Sequence, residues 1–75
     1  MNNDELKNLL LSVIQNKIGN MSQSQVADLL GVKQSVVSRL VNGQEAVFSV
    51  SKLIDYAVLL GVEVTIKIGR KNIKL

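Results

Sequence analysis

Residues 23–43 read Gln23-Ser-Gln-Val-Ala-Asp-Leu-Leu-Gly-Val-Lys-Gln-Ser-Val-Val-Ser-Arg-Leu-Val-Asn-Gly43, and this stretch decides the fold. Ser22 and Gln25 form a capping box, a hydroxyl at the cap and an amide three residues on. Met21 before the cap and Val26 inside the helix make the matching hydrophobic staple. A helix is predicted from Gln23 to Leu30. Gly31 ends it in the left-handed region, and Val32 follows as the apolar residue of a Schellman-type stop. About two turns of helix are too short to stand alone, so a neighbour must hold them. The next helix starts near Lys33 or Gln34. Val36, Val37, Leu40 and Val41 fill one arc of it. Ser35, Ser38, Arg39 and Asn42 fill the opposite arc, with Gln34 at the N-terminal edge. Asn42-Gly43 stops it.

Outward from this pair, Asn3 is placed to cap a helix over Asp4–Ile18, with Asp4 and Glu5 favourable in its first turn. Leu6, Leu9, Leu10, Val13 and Ile14 recur at helical spacing, with Leu11 and Ile18 to one side, and Gly19 is a natural stop. On the other flank, Gln44–Val47 reads as a short loop. Phe48 then staples onto Leu53 across a Ser49 cap and opens a fourth helix to Leu60. Val50, Leu53, Ile54, Ala57 and Leu60 face inward, while Leu59 falls on the outer side with Ser51, Lys52 and Asp55. Gly61-Val62 repeats the Gly31-Val32 ending. The two Leu-Leu-Gly-Val strings, 29–32 and 59–62, read as two uses of one helix stop, not as a duplication.

After Gly61 the period changes from 3.6 to 2. Val62, Val64, Ile66 and Ile68 alternate with Glu63, Thr65 and Lys67, which predicts a half-buried strand over 62–68. Gly69-Arg70-Lys71-Asn72 can turn the chain and leave Ile73-Lys74-Leu75 as a second short strand. A lone strand or hairpin leaves unpaired edges. Pairing with the same strand of a second subunit is the simplest remedy.

Composition narrows the function. Seventy-five residues make one domain, 1–75, and 47% of them are apolar, enough to fold. The core is small: a chain of this size buries only about 60% of its unfolded surface. With no Cys and no His, neither a disulfide nor a structural zinc site is expected, and oligomerisation is the remaining staple. The same absences exclude a histidine base, a thiolate nucleophile and a Ser–His pair. The six acids are spread along the chain with no carboxylate dyad or metal cluster, so no enzyme activity, cofactor or metal is expected. The polar, acidic N-terminus does not resemble a signal peptide, and the longest apolar stretch, Ala57–Val62, is far short of the roughly 20 residues of a membrane span. A cytoplasmic protein is expected. Nine Lys/Arg against six Asp/Glu give a net charge of +3. No acid lies between Asp28 and Glu45, and none from Lys67 onward. Those two basic zones suit an acidic partner, or simply a solvated surface.

The two short helices around Gly31 have the pattern of a DNA-binding helix-turn-helix. Ala27 is small where the second helix crosses, Gly31 reaches its conformation without a Cβ penalty, and Val32, Val37 and Leu40 set the crossing. The stretch Gln23–Gly43 resembles the helix-turn-helix of the Xre/Cro family of phage repressors and bacterial regulators. With the flanking helices and the helix–Gly–Val–strand ending, residues 20–68 are similar to a small subfamily of HigA-type antitoxins and stand-alone regulators. Lys33 departs from the family, where Ser or Thr commonly caps this helix. The resemblance implies a mainly α fold: four short helices with a lambda-repressor-like helix-turn-helix over 23–42, plus the C-terminal strand.

The exposed arc of the third helix, 34–42, would then enter the major groove of double-stranded DNA. Gln34 can bind adenine in two-point fashion, and Arg39 guanine or a flanking phosphate. Ser35 and Ser38 can reach bases or phosphates. Lys33, Asn42 and the Gly43 backbone are phosphate candidates, and guanine is open to Lys33. Gln23 is a phosphate anchor in the related proteins, and its place at a helix N-terminus agrees. One such helix reads few base pairs; two related by a two-fold axis, about 34 Å apart, read an inverted repeat. The expected function is a homodimeric repressor, its interface on Leu59, Val62, Val64, Ile66 and Ile68. The basic segment Lys67–Lys74 can lie along DNA or guard a strand edge. An antitoxin that binds a toxin protein as well as its operator is the alternative, disfavoured by the few residues outside the folded elements. A pure dimerisation module leaves the arc around Gln34, Ser38 and Arg39 unexplained.

Overall fold

The computed structural model describes residues 2–75. Four α-helices come first: α1 (Asn3–Ile18), α2 (Gln23–Leu30), α3 (Gln34–Val41) and α4 (Val50–Leu59). A 3₁₀ turn, Glu45–Val47, stands where a loop was expected. An antiparallel hairpin, β1 (Thr65–Ile68) and β2 (Lys71–Lys74), ends the chain. The body is mainly helical and elongated, 40 × 22 × 18 Å. Among the described residues no helix is long and apolar enough to cross a membrane.

Each helix starts where a side chain satisfies an early amide, α3 excepted. The cap of α1 is Asn2, not Asn3: its Oδ1 accepts from the Glu5 amide at 2.8 Å. The Ser22–Gln25 capping box is present in both directions. Ser49 Oγ accepts from the Lys52 amide at 3.1 Å. Two of the helices end in the same way. The Val32 amide donates to Ala27 O and the Val62 amide to Ala57 O, both at 3.0 Å, with Gly31 at φ 67° and Gly61 at φ 86°. These six-to-one bonds are the signature of the Schellman stop, and they need a residue that tolerates positive φ.

Val26, Val37, Leu40, Ile14 and Leu53 form the fully buried centre. Around them sit Leu10, Leu11, Ile18, Ala27, Leu30, Phe48, Tyr56 and Ala57. The α1 stripe is rotated from the expected one: Leu11 and Ile18 are buried and Leu9 is exposed. Leu9 lies five residues before Ile14, about 140° around the helix, so it cannot share that residue's face. Val41 is also exposed, because α3 is in its last turn there and the core lies under Val37 and Leu40. Tyr56, absent from the expected inward set of α4, is buried three residues after Leu53.

The strand is shorter than 62–68. Val62 and Val64 are spent as half-buried residues against the helical core, and regular pairing begins at Thr65. Thr65 pairs with Lys74, Ile66 with Ile73, Lys67 with Asn72 and Ile68 with Lys71. Gly69 at φ 60° opens the two-residue turn with Arg70, the glycine-first arrangement that suits the twist of a hairpin. One edge of β1 is thus paired within the chain. The Leu75 amide extends the ladder to Val64 O at 2.9 Å.

Candidate nucleic-acid interface

The α2–turn–α3 unit is built by its buried positions on one side and its cap on the other. Val26, Ala27 and Leu30 of α2 meet Val37 and Leu40 of α3 in the core, and half-buried Val32 fills the turn. Burial of that side obliges α3 to present its remaining arc outward. Gln34, Ser35 and Arg39 are exposed and Ser38 is half-buried. The spacing puts Ser38 one turn after Gln34, and Arg39 one turn after Ser35, in two adjacent rows. Asn42 continues the first row, and its Nδ2 donates to Ser38 Oγ at 3.4 Å. The structure therefore brings Gln34, Ser35, Ser38, Arg39 and Asn42 onto one face.

Lys33 stands at the N-cap of α3 in extended conformation and makes no side-chain cap bond. The Val36 amide donates to Lys33 O at 3.0 Å, so among the described residues only the Gln34 and Ser35 amides of the first turn of α3 are left to solvent or to an anion. Lys33 itself is exposed. Gly43 follows at φ 71°, with its amide donating to Leu40 O at 3.2 Å. Gln23 is exposed at the first position of α2, on the neighbouring helix, and shares no hydrogen bond with α3 among the described residues. The one ion pair among the described residues, Lys74 to Glu63 at 3.2 Å, joins β2 to the segment before β1. Arg39 and Lys33 thus have no carboxylate partner among them, and an uncompensated basic face attracts anions.

One polar residue of this region escapes a sequence reading. Gln15, half-buried on α1, donates through Nε2 to Leu40 O at 3.0 Å and to Val41 O at 3.3 Å. Its only signal is position: it lies between Leu11 and Ile18, at four- and three-residue spacing, inside an otherwise apolar stripe.

The expected interface residues divide into two sets. Leu59, Ile66 and Ile68 are exposed, with Leu59 at 51% and Ile68 at 63%. Val62 and Val64 are half-buried against the chain's own core. The hairpin register sets Ile66 directly across from Ile73, also exposed, and places Ile68 on the same face. Leu75 joins Leu30, Val32, Ile54, Val58 and Leu59 around an apolar groove of about 570 Å³. No group of three or more His, Cys, Asp or Glu able to hold a metal occurs among the described residues.

No curated protein and no solved structure matches the chain. Residues 2–69, all of the chain except residue 1 and residues 70–75, match the family described as a helix-turn-helix domain. The capped α2, the glycine turn and the outward arc of α3 are the parts that define such a domain. The chain belongs to the helix-turn-helix domain family.

Proposed function

We propose that the protein is a sequence-specific DNA-binding regulator, a homodimeric repressor that reads an inverted repeat through residues 34–42. The observation that carries this is the arc of α3: polar and basic side chains held outward by a buried opposite side, with Lys33 and Arg39 in no ion pair among the described residues. Gln34 and Arg39 are the base readers, with Ser35 and Ser38 reaching bases or phosphates. Gln23, Lys33, Asn42 and the Gly43 backbone hold the phosphates. Each good base contact contributes about 1–3 kcal/mol of discrimination.

The homodimer is supported by apolar surface that the chain leaves uncovered. Leu59, Ile66, Ile68 and Ile73 are exposed on α4 and one hairpin face, beside the groove at Leu75. A second copy related by a two-fold axis would cover the same patch on both chains and set two α3 helices for two half-sites. Val62 and Val64, half-buried against the chain's own core, are the remaining interface residues of this reading.

Selection from a random duplex pool at about 150 mM salt tests the reading. Wild type should enrich an inverted repeat, and the Gln34→Ala/Arg39→Ala double variant should lose it. Weak, salt-sensitive binding without an enriched sequence, equal in both proteins, would sink it and turn attention to a protein partner such as a toxin.

A further inference from the structure

The four carbonyls that end α3 can be accounted for one by one. Ser38 O accepts from the Asn42 amide at 2.9 Å and Arg39 O from the Gln44 amide at 3.1 Å. Leu40 O accepts from the Gly43 amide at 3.2 Å and again from Gln15 Nε2 at 3.0 Å. Val41 O accepts only from Gln15 Nε2, at 3.3 Å, among the described residues. A carboxamide nitrogen carries two hydrogens, enough to serve both carbonyls. The orientation of the amide is dictated by this network, since the opposite flip would set oxygen against oxygen. Gly43 fits beneath it: a Cβ there would lie 3.6 Å from Gln15 Nε2.

We infer that Gln15 is a positioning residue for DNA reading: it clamps the C-terminal end of α3 to α1 and so fixes how Gln34, Ser35 and Arg39 meet the groove. The inference rests on the DNA-binding reading of α3. Its physical basis is the asymmetry of the helix. At the N-terminal end Lys33 supplies no side-chain cap. At the C-terminal end a side chain 25 residues away in sequence holds the last two carbonyls. An eight-residue helix is near the length at which the terminal turns fray, so a clamp at one end governs much of its order. Small errors in the pose of a reading helix spoil geometry-dependent base contacts first, whereas phosphate attraction tolerates them.

Three variants and two readouts test this. Gln15→Met keeps the length and removes the donors. Gln15→Lys restores a donor, with a charge suited to a helix C-terminus. Gln15→Glu places a carboxylate against the two carbonyls. Amide hydrogen exchange by NMR needs no DNA. In Gln15→Met the amides of Asn42, Gly43 and Gln44 should exchange at least about fivefold faster, while those of Leu53 and Ala57 in α4 hold steady. Affinity is then compared on the duplex that wild type enriches and on a random-sequence duplex. The ratio of the two should fall about fivefold to tenfold in Gln15→Met, further in Gln15→Glu, and recover in Gln15→Lys.

Unchanged exchange at residues 42–44, or exchange raised in parallel throughout α4, overturns the clamp. An unchanged affinity ratio overturns its role in reading. If wild type enriches no sequence, the DNA reading fails on its own, and the exchange comparison still decides whether Gln15 holds α3.

Discussion

Phe48 and Tyr56, the two aromatic residues of the chain, meet edge to face, with ring centroids 6.0 Å apart and planes at 85°. Phe48 closes the 3₁₀ turn after α3, and Tyr56 lies in the second half of α4. Their contact ties the exit of the helix-turn-helix to the helix that supports it. Edge-to-face pairs contribute about 0.5–1.5 kcal/mol beyond the area they bury.

Phe48→Ala should therefore lower the unfolding free energy by about 3–5 kcal/mol in urea denaturation, enough to unfold much of so small a domain. Tyr56→Phe should stay within about 0.5 kcal/mol. The Tyr56 hydroxyl has no hydrogen-bond partner among the described residues and is not a buried unsatisfied atom, so it reaches solvent. A loss above about 1 kcal/mol in Tyr56→Phe would reveal a bond that the structure does not contain.

Gly31 sits at φ 67°, ψ 36°, and a Cβ built there meets nothing within 4 Å. Substitution costs are then conformational, not steric. Gly31→Ala should destabilise by about 1–2 kcal/mol, and Gly31→Asn by less, because asparagine tolerates the left-handed region. The opposite order would mean that size, not backbone conformation, limits the site.

Ser22→Ala removes one arm of the capping box on α2. A loss of about 1 kcal/mol in thermal or urea unfolding is expected. Gln25→Ala removes the other arm and should cost less, since the Ser22 hydroxyl still accepts from the backbone amide of residue 25. Equal losses would show that the Gln25 side chain supports α2 in some further way.

Gln34→Ala and Arg39→Ala change exposed side chains with no hydrogen bond or ion pair among the described residues. Stability should move by no more than about 0.5 kcal/mol. Affinity for the enriched duplex should drop by about 1–3 kcal/mol for each, read by fluorescence anisotropy. A large stability loss would identify these residues as structural and remove the ground for assigning them to bases.

Ile66→Lys and Ile68→Lys place a charge on the apolar hairpin face. Both should fold with unchanged helical circular dichroism. Sedimentation equilibrium should show the dimer weakened, and half-site binding should replace cooperative binding to the full repeat. A wild type that is monomeric at DNA-binding concentrations would dismiss this interface.

Most helix ends were legible because their signals are local. Ser22 and Gln25, Gly31 and Val32, and Ser49 with Phe48 each act within six residues, and all stand where the sequence puts them. The shift of the α1 cap from Asn3 to Asn2 comes from two adjacent asparagines, either able to cap. What stayed hidden is set by packing between distant segments. Whether Leu9 or Leu11 enters the core depends on how α1 is rotated against α4. Tyr56 reads as amphipathic until Phe48 is placed beside it. Gln15 gains its meaning only when the end of α3, 25 residues on, arrives next to it. The exposed arc of α3 was legible as a surface, since burial of Val37 and Leu40 leaves it no alternative.

The string Leu-Leu-Gly-Val closes two helices with the same six-to-one bond of 3.0 Å, yet the chain continues into a helix after Val32 and into a strand after Val62. The tetrapeptide works as punctuation: it marks the end of one clause and is silent about the next. Each succeeding element takes its form from its own alternation, every second residue or every third and fourth. The stop of α4 is accordingly independent of the hairpin: its closing bond runs from Val62 to Ala57 and uses no residue beyond Val62.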